Sequence, residues 1–267
     1  MQIRLPFRRN RDEPDIPTGQ MTVVEHLEEL RTRIIYSLIA VALGLAVAFS
    51  FYNRLINFLV DPYCETVVPL LAERSHEPIS PNCNLIFTGP AEGFAVRIRV
   101  SLIAGVALAM PVLLWQLWRF ITPALHPREK RWAVPFVASA VLLFVLGAAL
   151  AYWTLPRAFE FLIRVAGDQV DPLLAVGPYL SFITMMMLTF GICFEFPILL
   201  VFLQLAEIIE PRQLAQFRRY AIVLIVTAVA ILTPSGDPIS LLALSIPMYL
   251  FYESSALIGK LLLRRRV

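Results

Sequence analysis

Long apolar stretches alternate with polar segments along this sequence. They occupy about residues 34–51, 100–117, 132–155, 181–205, 220–232 and 239–258. A helix needs about 20 apolar residues to cross the hydrocarbon core of a bilayer. With their flanks the first four stretches reach that length, the fifth is too short, and the sixth is long enough but contains Pro247. The pattern predicts an all-α membrane protein with six transmembrane helices, of which the fifth and sixth form a short hairpin turning at residues 233–238.

The segment before the first stretch has the spacing of an amphipathic helix. Thr22 and Glu25 fit a capping box, and apolar residues follow at helical intervals. We predict a helix that lies on the membrane surface and continues into the first span. Residues 21–260 then form one six-helix domain between a disordered basic tail, residues 1–20, and a second basic tail, residues 261–267.

Composition and charge support the membrane assignment. Hydrophobic residues make up 58% of the chain and charged residues 16%, whereas a soluble domain carries about 25% charged residues. Lysine and arginine are concentrated before the first stretch, after the second, after the fourth and at the C-terminal end, with Arg97 and Arg99 as exceptions. Because basic connections stay in the cytoplasm, we predict that both termini are cytoplasmic.

The cysteines suggest a bond outside the cytoplasm. Cys64 and Cys83 both fall in the long connection between the first and second stretches, and Cys193 lies within the fourth. Cysteines in an oxidising compartment can pair. A disulfide between Cys64 and Cys83 and a pair of free thiols are both compatible with the sequence.

Motifs of common enzymes are absent from the sequence. The histidines are His26, His76 and His126, and they form no H-E-x-x-H metal pair. The chain also has no G-x-x-x-x-G-K-[ST] phosphate loop and no G-x-S-x-G elbow. We predict a protein that is not an enzyme, holds no cofactor or metal and binds no nucleic acid.

Carboxylates at the membrane surface form the first candidate site. Glu29 and Arg31 belong to the helix before the first stretch, and Glu129 lies in the connection after the second. Such carboxylates can accept paired hydrogen bonds from guanidinium groups. The alternative is an ordinary solvated charged face.

A carboxylate within a span forms the second candidate site. Glu195 lies in the fourth stretch, where a charged group costs about 2.5–3.5 kcal/mol or more. No lysine or arginine of a neighbouring span is an obvious partner. We predict a polar contact with a helix of another subunit, and the alternative is a structural hydrogen bond.

These segments together resemble the TatC family, the multi-spanning receptor and core subunit of the twin-arginine protein translocase. The resemblance rests on residues 26–33, 111–125, Glu129, residues 194–197, Thr233-Pro234 with Asp237, and residues 246–248. It implies six helices in a concave, glove-like arrangement in the bacterial cytoplasmic (plasma) membrane. It also implies binding of paired-arginine signal peptides of folded precursors on the cytoplasmic face. The expected partners are single-span TatA- and TatB-type subunits, other copies of the chain and membrane lipids, with export driven by the proton gradient.

The resemblance assigns roles to individual residues. It places Glu29, Glu129, Arg31 and Phe120 in the signal-peptide site, and Glu195, Gln116 and Asp237 in contacts with partner subunits. The sequence departs from the family pattern in two places. The turn at residues 233–237 is one residue longer than the common Thr-Pro-Pro-Asp, and Leu241 stands where many members have glutamine.

Two other functions fit parts of the sequence. A proton-coupled secondary transporter of a small solute would use Glu195 as its relay, but we find no inverted repeat of the kind that marks many such transporters. A membrane scaffold without a ligand would leave Glu29 and Glu129 as ordinary surface charge.

Overall fold

The computed structural model is built from helices. It describes residues 23–69, 85–86, 88–121, 133–167, 175–206, 208–234 and 236–264. Within these ranges the α-helices are α1 Val23–Ser50, α2 Tyr52–Pro62, α3 Glu92–Ile121, α4 Ala133–Ala166, α5 Val176–Cys193, α6 Phe196–Leu205, α7 Pro211–Gln216, α8 Arg218–Leu232 and α9 Pro238–Arg264. A π-helical turn, Tyr63–Val67, continues α2, and Ile86 forms an isolated β-bridge with Ala175. The all-α prediction is confirmed.

Five helical segments among the described residues are long and apolar enough to cross a bilayer. They are His26–Ser50, Glu92–Phe120, Ala133–Ala166, Val176–Leu205 and Pro238–Lys260. Helix α8 has 15 residues, about 22 Å at 1.5 Å per residue, and is shorter than the ~30 Å hydrocarbon core. The helix formed by the fifth apolar stretch is therefore short, as the sequence predicts.

The prediction of a short sixth helix was wrong. Helix α9 has 27 residues and continues through Pro247. Proline removes one backbone donor, but neighbouring helices can support a membrane helix across such a gap. Leu244 and Met248, on either side of the proline, are buried in the core. Packing therefore stabilises α9 at the point where the sequence predicted that Pro247 would shorten the helix.

The fourth span is broken between α5 and α6. Pro197 stands in the first turn of α6, and its ring is incompatible with a helical carbonyl four residues earlier. That carbonyl belongs to Cys193, the last residue of α5. The break consists of Phe194 and Glu195, so a proline places the acidic residue of this span outside regular helix.

Helices α1 and α3 run antiparallel and approach each other closely at two glycines. A Cβ atom added to Gly105 would lie 2.6 Å from the backbone nitrogen of Leu45, and one added to Gly44 would overlap the carbonyl of Gly105. Small residues allow such close approach between membrane helices. The contact sets the register of the pair. Arg33 and Gln116 meet about three turns (~11 residues) from the glycines toward the N-terminus of α1.

Polar contacts hold the opposite end of the helices, where α1 ends and α3 begins. Tyr179 of α5 donates a hydrogen bond to the carbonyl of Leu59 at 2.8 Å, and Tyr152 of α4 donates one to the carbonyl of Phe58 at 3.0 Å. The carboxylate of Glu92 accepts the backbone N–H of Gly177 at 2.8 Å. These bonds anchor α2 to α4 and α5, and join the first turn of α3 to the first turn of α5.

The α1–α3 contact can be tested with Gly105→Ala. We expect this change to destabilise the protein by about 1–3 kcal/mol, because the added methyl group meets only backbone atoms, which cannot rotate away. Gly89→Ala is the matched control, since a Cβ there meets nothing within 4 Å. Thermal unfolding of the purified protein in detergent would measure both. Equal unfolding temperatures for the two variants would contradict the proposed importance of this contact.

Candidate functional site

Five side chains of α1 and α3 meet at one end of the helices. Arg33 Nη2 donates to Oε1 of Glu29 at 2.8 Å, and Arg33 Nη1 donates to Oε1 of Gln116 at 3.3 Å. The rings of His26 and Phe120 are stacked, with centroids 4.6 Å apart. We refer to His26, Glu29, Arg33, Gln116 and Phe120 as the Glu29 cluster.

Helical spacing explains how the Glu29 cluster forms. His26, Glu29 and Arg33 follow one another at intervals of three and four residues, so they share one face of α1. Gln116 and Phe120 are four residues apart on α3 and also share a face. The antiparallel register of the two helices then brings these faces together.

The charged pair in the cluster is largely removed from solvent. The side chains of Arg33 and Glu29 are 16% and 18% exposed. Oε2 of Glu29 and Nε of Arg33 are buried and have no hydrogen-bond partner among the described residues. An ionised carboxylate can accept hydrogen bonds at both oxygens. Glu29 therefore has an unused acceptor that suits another cationic donor.

Two of the predicted signal-site residues are not seen in this cluster. Arg31 is exposed, because a residue two positions from Glu29 projects from a different face of the helix. Glu129 lies outside the described residues, so its place opposite Glu29 stays a prediction. Of the four residues predicted for this site, Glu29 and Phe120 are the two that the structure brings together.

The sequence pattern gave no role to Arg33 or His26. Arg33 has a local signal, since Glu29 precedes it by four residues in the favourable order for a helical ion pair. No local signal exists for His26, because its partner Phe120 belongs to another helix. Only the register between α1 and α3 reveals that contact.

Glu195 lies apart from the Glu29 cluster, in the break between α5 and α6. It lines an apolar cavity of about 530 Å³. Other side chains of the lining come from α3, α4, α8 and α9 and include Trp118, Phe136, Leu224 and Met248. Oε1 of Glu195 is buried and accepts no hydrogen bond from the described residues. The cavity thus combines an apolar wall with one unsatisfied carboxylate oxygen.

The three residues predicted to contact partner subunits lie in three different places. Gln116 belongs to the Glu29 cluster, and Glu195 lies in the apolar cavity. Asp237 is 1% exposed, and its Oδ1 accepts the backbone N–H of Ser240 at 2.7 Å, which caps the start of α9. Gly236 before it has a φ of +59°, a conformation that glycine adopts readily. Partner contacts at these positions stay predictions.

The cysteine prediction is tested only in part. Cys64 is disulfide-bonded, and Cys193 is a free buried cysteine. Cys83 lies outside the described residues, so its pairing with Cys64 stays a prediction. Among the residues that the structure describes, no three histidine, cysteine or acidic side chains are grouped as metal ligands would be.

These features define the class of protein. Five long apolar helices, a broken span with a buried carboxylate and a charged cluster at one helix end are typical of a multi-pass helical membrane protein. The family model for TatC, the Sec-independent protein translocase protein, matches residues 25–247. The chain belongs to the TatC family, and the resemblance noted from its motifs is confirmed.

Individual relatives match over most of the chain. The TatC protein of Frankia casuarinae is 40% identical over 260 residues, which cover 97% of this chain and 70% of the relative. The TatC protein of Aquifex aeolicus is 39% identical over 249 residues, which cover 92% of this chain and 98% of the relative. A crystal structure of the twin-arginine translocase receptor TatC is similar in fold, with a TM-score of 0.69 and 40% identity over 89% of this chain and 99% of that one.

The hydrogen bonding of two polar residues in the broken span predicts different effects of their substitution. We expect Glu195→Leu to leave the unfolding temperature unchanged or to raise it, because an apolar side chain replaces an unsatisfied carboxylate. Gln204→Leu should lower stability by about 0.6–2 kcal/mol. Gln204 is buried in α6, and its Nε2 donates to the carbonyl of Ser255 in α9 at 3.1 Å.

Thermal unfolding in detergent would compare the two variants directly. A loss of stability in Glu195→Leu as large as that in Gln204→Leu would mean that Glu195 has a structural bond within the chain.

Proposed function

We propose that this chain is the core receptor subunit of a twin-arginine translocase, and that the Glu29 cluster binds the paired arginines of signal peptides. One observation carries the proposal. Glu29 is a largely buried carboxylate at a helix end, its buried Oε2 has no hydrogen-bond partner among the described residues, and the stacked His26 lies one turn before it on α1. The family membership supports it, because related crystal structures are those of the twin-arginine translocase receptor.

The chemistry of the cluster favours guanidinium over ammonium. A guanidinium group presents parallel N–H donors that match the two oxygens of a carboxylate, whereas an ammonium group is a point charge. Guanidinium also stacks on aromatic faces, and His26 of the His26–Phe120 pair lies one helical turn before Glu29 on the same face of α1. Glu129 is proposed as the second carboxylate, so that each arginine of the signal has its own acceptor. Arg31 would lie at the exposed border of the site.

The orientation in the membrane follows from the charge pattern. We place the Glu29 end of the helices and both termini in the cytoplasm, with six crossings in a glove-like arrangement in the bacterial cytoplasmic membrane. The short helix α8 is the fifth crossing in this proposal. A span of 15 residues requires local thinning of the bilayer or cover by a partner.

The Glu195 cavity is proposed as a contact for a single-span TatA- or TatB-type subunit. Its apolar wall suits the side chains of a membrane helix, and a polar group on that helix would satisfy the unengaged oxygen of Glu195. Gln116 and Asp237 are proposed as further contacts of such subunits. The assembly, with further copies of this chain, would use the proton gradient to export folded precursors. No observation favours the alternative of a solute transporter, because membership of the TatC family already offers a role for Glu195 as a contact for a partner subunit.

Signal binding can be measured with the purified full chain in nanodiscs and a fluorescent signal peptide. We expect Glu29→Gln to weaken binding of a twin-arginine peptide by about tenfold or more, because a charge-assisted bond is lost. Glu28→Gln is the matched control, since Glu28 is the exposed neighbour of Glu29 on the same helix.

Replacement of both peptide arginines by lysine should weaken binding to the wild-type chain to a similar degree. Equal affinities of the two peptides, or equal effects of the Glu28 and Glu29 variants, would refute the receptor site.

Partner binding can be tested by co-purification from membranes. We expect Glu195→Ala to reduce recovery of a single-span subunit while binding of the signal peptide is retained, because the cavity and the Glu29 cluster share no residue. Glu160→Ala is the control, since Glu160 is an acidic residue on α4 that already pairs with Arg164 at 2.6 Å. Loss of signal binding together with loss of the subunit would show that the two sites are not separate.

A further inference from the structure

Arg33 places a guanidinium group of the protein itself on the carboxylate of Glu29. The contact uses one nitrogen of Arg33 and one oxygen of Glu29, at 2.8 Å. The other terminal nitrogen of Arg33 reaches Gln116 on α3. Oε2 of Glu29 and Nε of Arg33 stay without partners among the described residues. The pair therefore satisfies one oxygen of Glu29 and leaves the other buried without a donor among the described residues.

We propose that Arg33 is an internal occupant of the receptor site, which holds Glu29 while no signal peptide is bound and yields it to an arginine of the signal. This inference rests on the proposed function of the Glu29 cluster. Arg33 acts on the signal only through Glu29, and it is a positioning residue in that sense. Its role is to set the fraction of receptor molecules in which Glu29 is available to the signal peptide.

The geometry favours an exchange of guanidinium groups over permanent pairing. A guanidinium that binds a carboxylate side-on makes two parallel hydrogen bonds and occupies both oxygens. Arg33 makes one, because it extends from the same helix four residues later and divides its donors between Glu29 and Gln116. A free arginine of a peptide has no such restriction. The incoming group can thus form a bond that the internal one does not form.

The cluster compensates the charge of Glu29 before the exchange and gives Arg33 a hydrogen-bond acceptor after it. A largely buried carboxylate without a partner is unfavourable, and Arg33 compensates the charge of Glu29 in the empty receptor. Once displaced, Arg33 keeps an acceptor in the Oε1 atom of Gln116. The bond to Gln116 therefore keeps the displaced guanidinium within the same cluster.

A competing Arg33 and an Arg33 that only orients Glu29 predict opposite changes in signal-peptide affinity when Arg33 is removed. If Arg33 competes with the signal, the apparent affinity falls with the fraction of receptors in which Glu29 is occupied. Removal of Arg33 would then strengthen binding. If Arg33 only orients Glu29 for the signal, its removal would weaken binding.

The test is the affinity of a fluorescent twin-arginine signal peptide for the full chain in nanodiscs. For Arg33→Gln we expect binding about three- to tenfold tighter than wild type, which corresponds to about 0.7–1.4 kcal/mol. Arg119→Gln is the control, because Arg119 is an exposed arginine on α3 next to Phe120. It removes the same charge from the same end of the helices without touching Glu29.

Weaker or unchanged binding in Arg33→Gln overturns the inference, and so does an equal gain in Arg119→Gln, which would reflect net charge alone. If Arg33→Gln does not fold, Arg33→Lys carries the test. An ammonium keeps the charge but lacks the fork that reaches Glu29 and Gln116 together, so binding should still be tighter than wild type. No gain in Arg33→Lys would then overturn the inference.

Failure of this inference is distinguishable from failure of the proposed function. A wild-type chain that binds the twin-arginine peptide no better than its twin-lysine form refutes both. A wild-type chain that discriminates between the peptides, together with weaker binding in Arg33→Gln, refutes only the internal occupant.

Discussion

The close contact between Gly44 and Gly105 is the constraint on which the candidate receptor site depends. Backbone atoms of the facing helix fill the space that a Cβ atom would need at either position. Glycine at both positions therefore allows α1 and α3 to approach this closely. This contact fixes the antiparallel register of the helices. The same register sets Arg33 beside Gln116 about three turns away, and His26 beside Phe120 about four to five turns away. A contact deep in the helix pair thereby positions polar groups at its end.

Three acidic residues show how packing determines the chemistry of a carboxylate. Glu29 is paired with Arg33 and has one free oxygen, Asp237 caps the start of α9, and Glu195 faces an apolar cavity. Each of the three carboxylates has one buried oxygen without a hydrogen-bond partner among the described residues. The bonded oxygen of Asp237 contributes to the fold, whereas Glu29 lies in a charged cluster between α1 and α3 and Glu195 lines an apolar cavity of about 530 Å³. These different surroundings, a charged helix end and an apolar cavity, are the physical basis for the two proposed binding sites.

Hydropathy was sufficient to predict the helical class, the first four spans and the short fifth helix. It was not sufficient for α9, because the effect of Pro247 depends on the neighbouring helices that pack around it. For the candidate site, the family resemblance predicted Glu29 and Phe120 as signal-peptide residues and Gln116 as a contact for a partner subunit. The pairing of His26 with Phe120, and of Arg33 with Gln116, could not be predicted because it depends on a tertiary register that no local pattern contains.

The most direct test of the receptor site is photo-crosslinking in membranes from two positions of the same helix. A photoreactive residue at Phe120 would lie in the Glu29 cluster, and one at Phe94, which is 69% exposed, would lie near the opposite end of α3. We expect a twin-arginine precursor to form adducts from position 120 and not from position 94, and these adducts should disappear when both arginines are replaced by lysine. Equal adducts from the two positions, or adducts that persist with the twin-lysine precursor, would contradict a guanidinium-binding site at the Glu29 cluster.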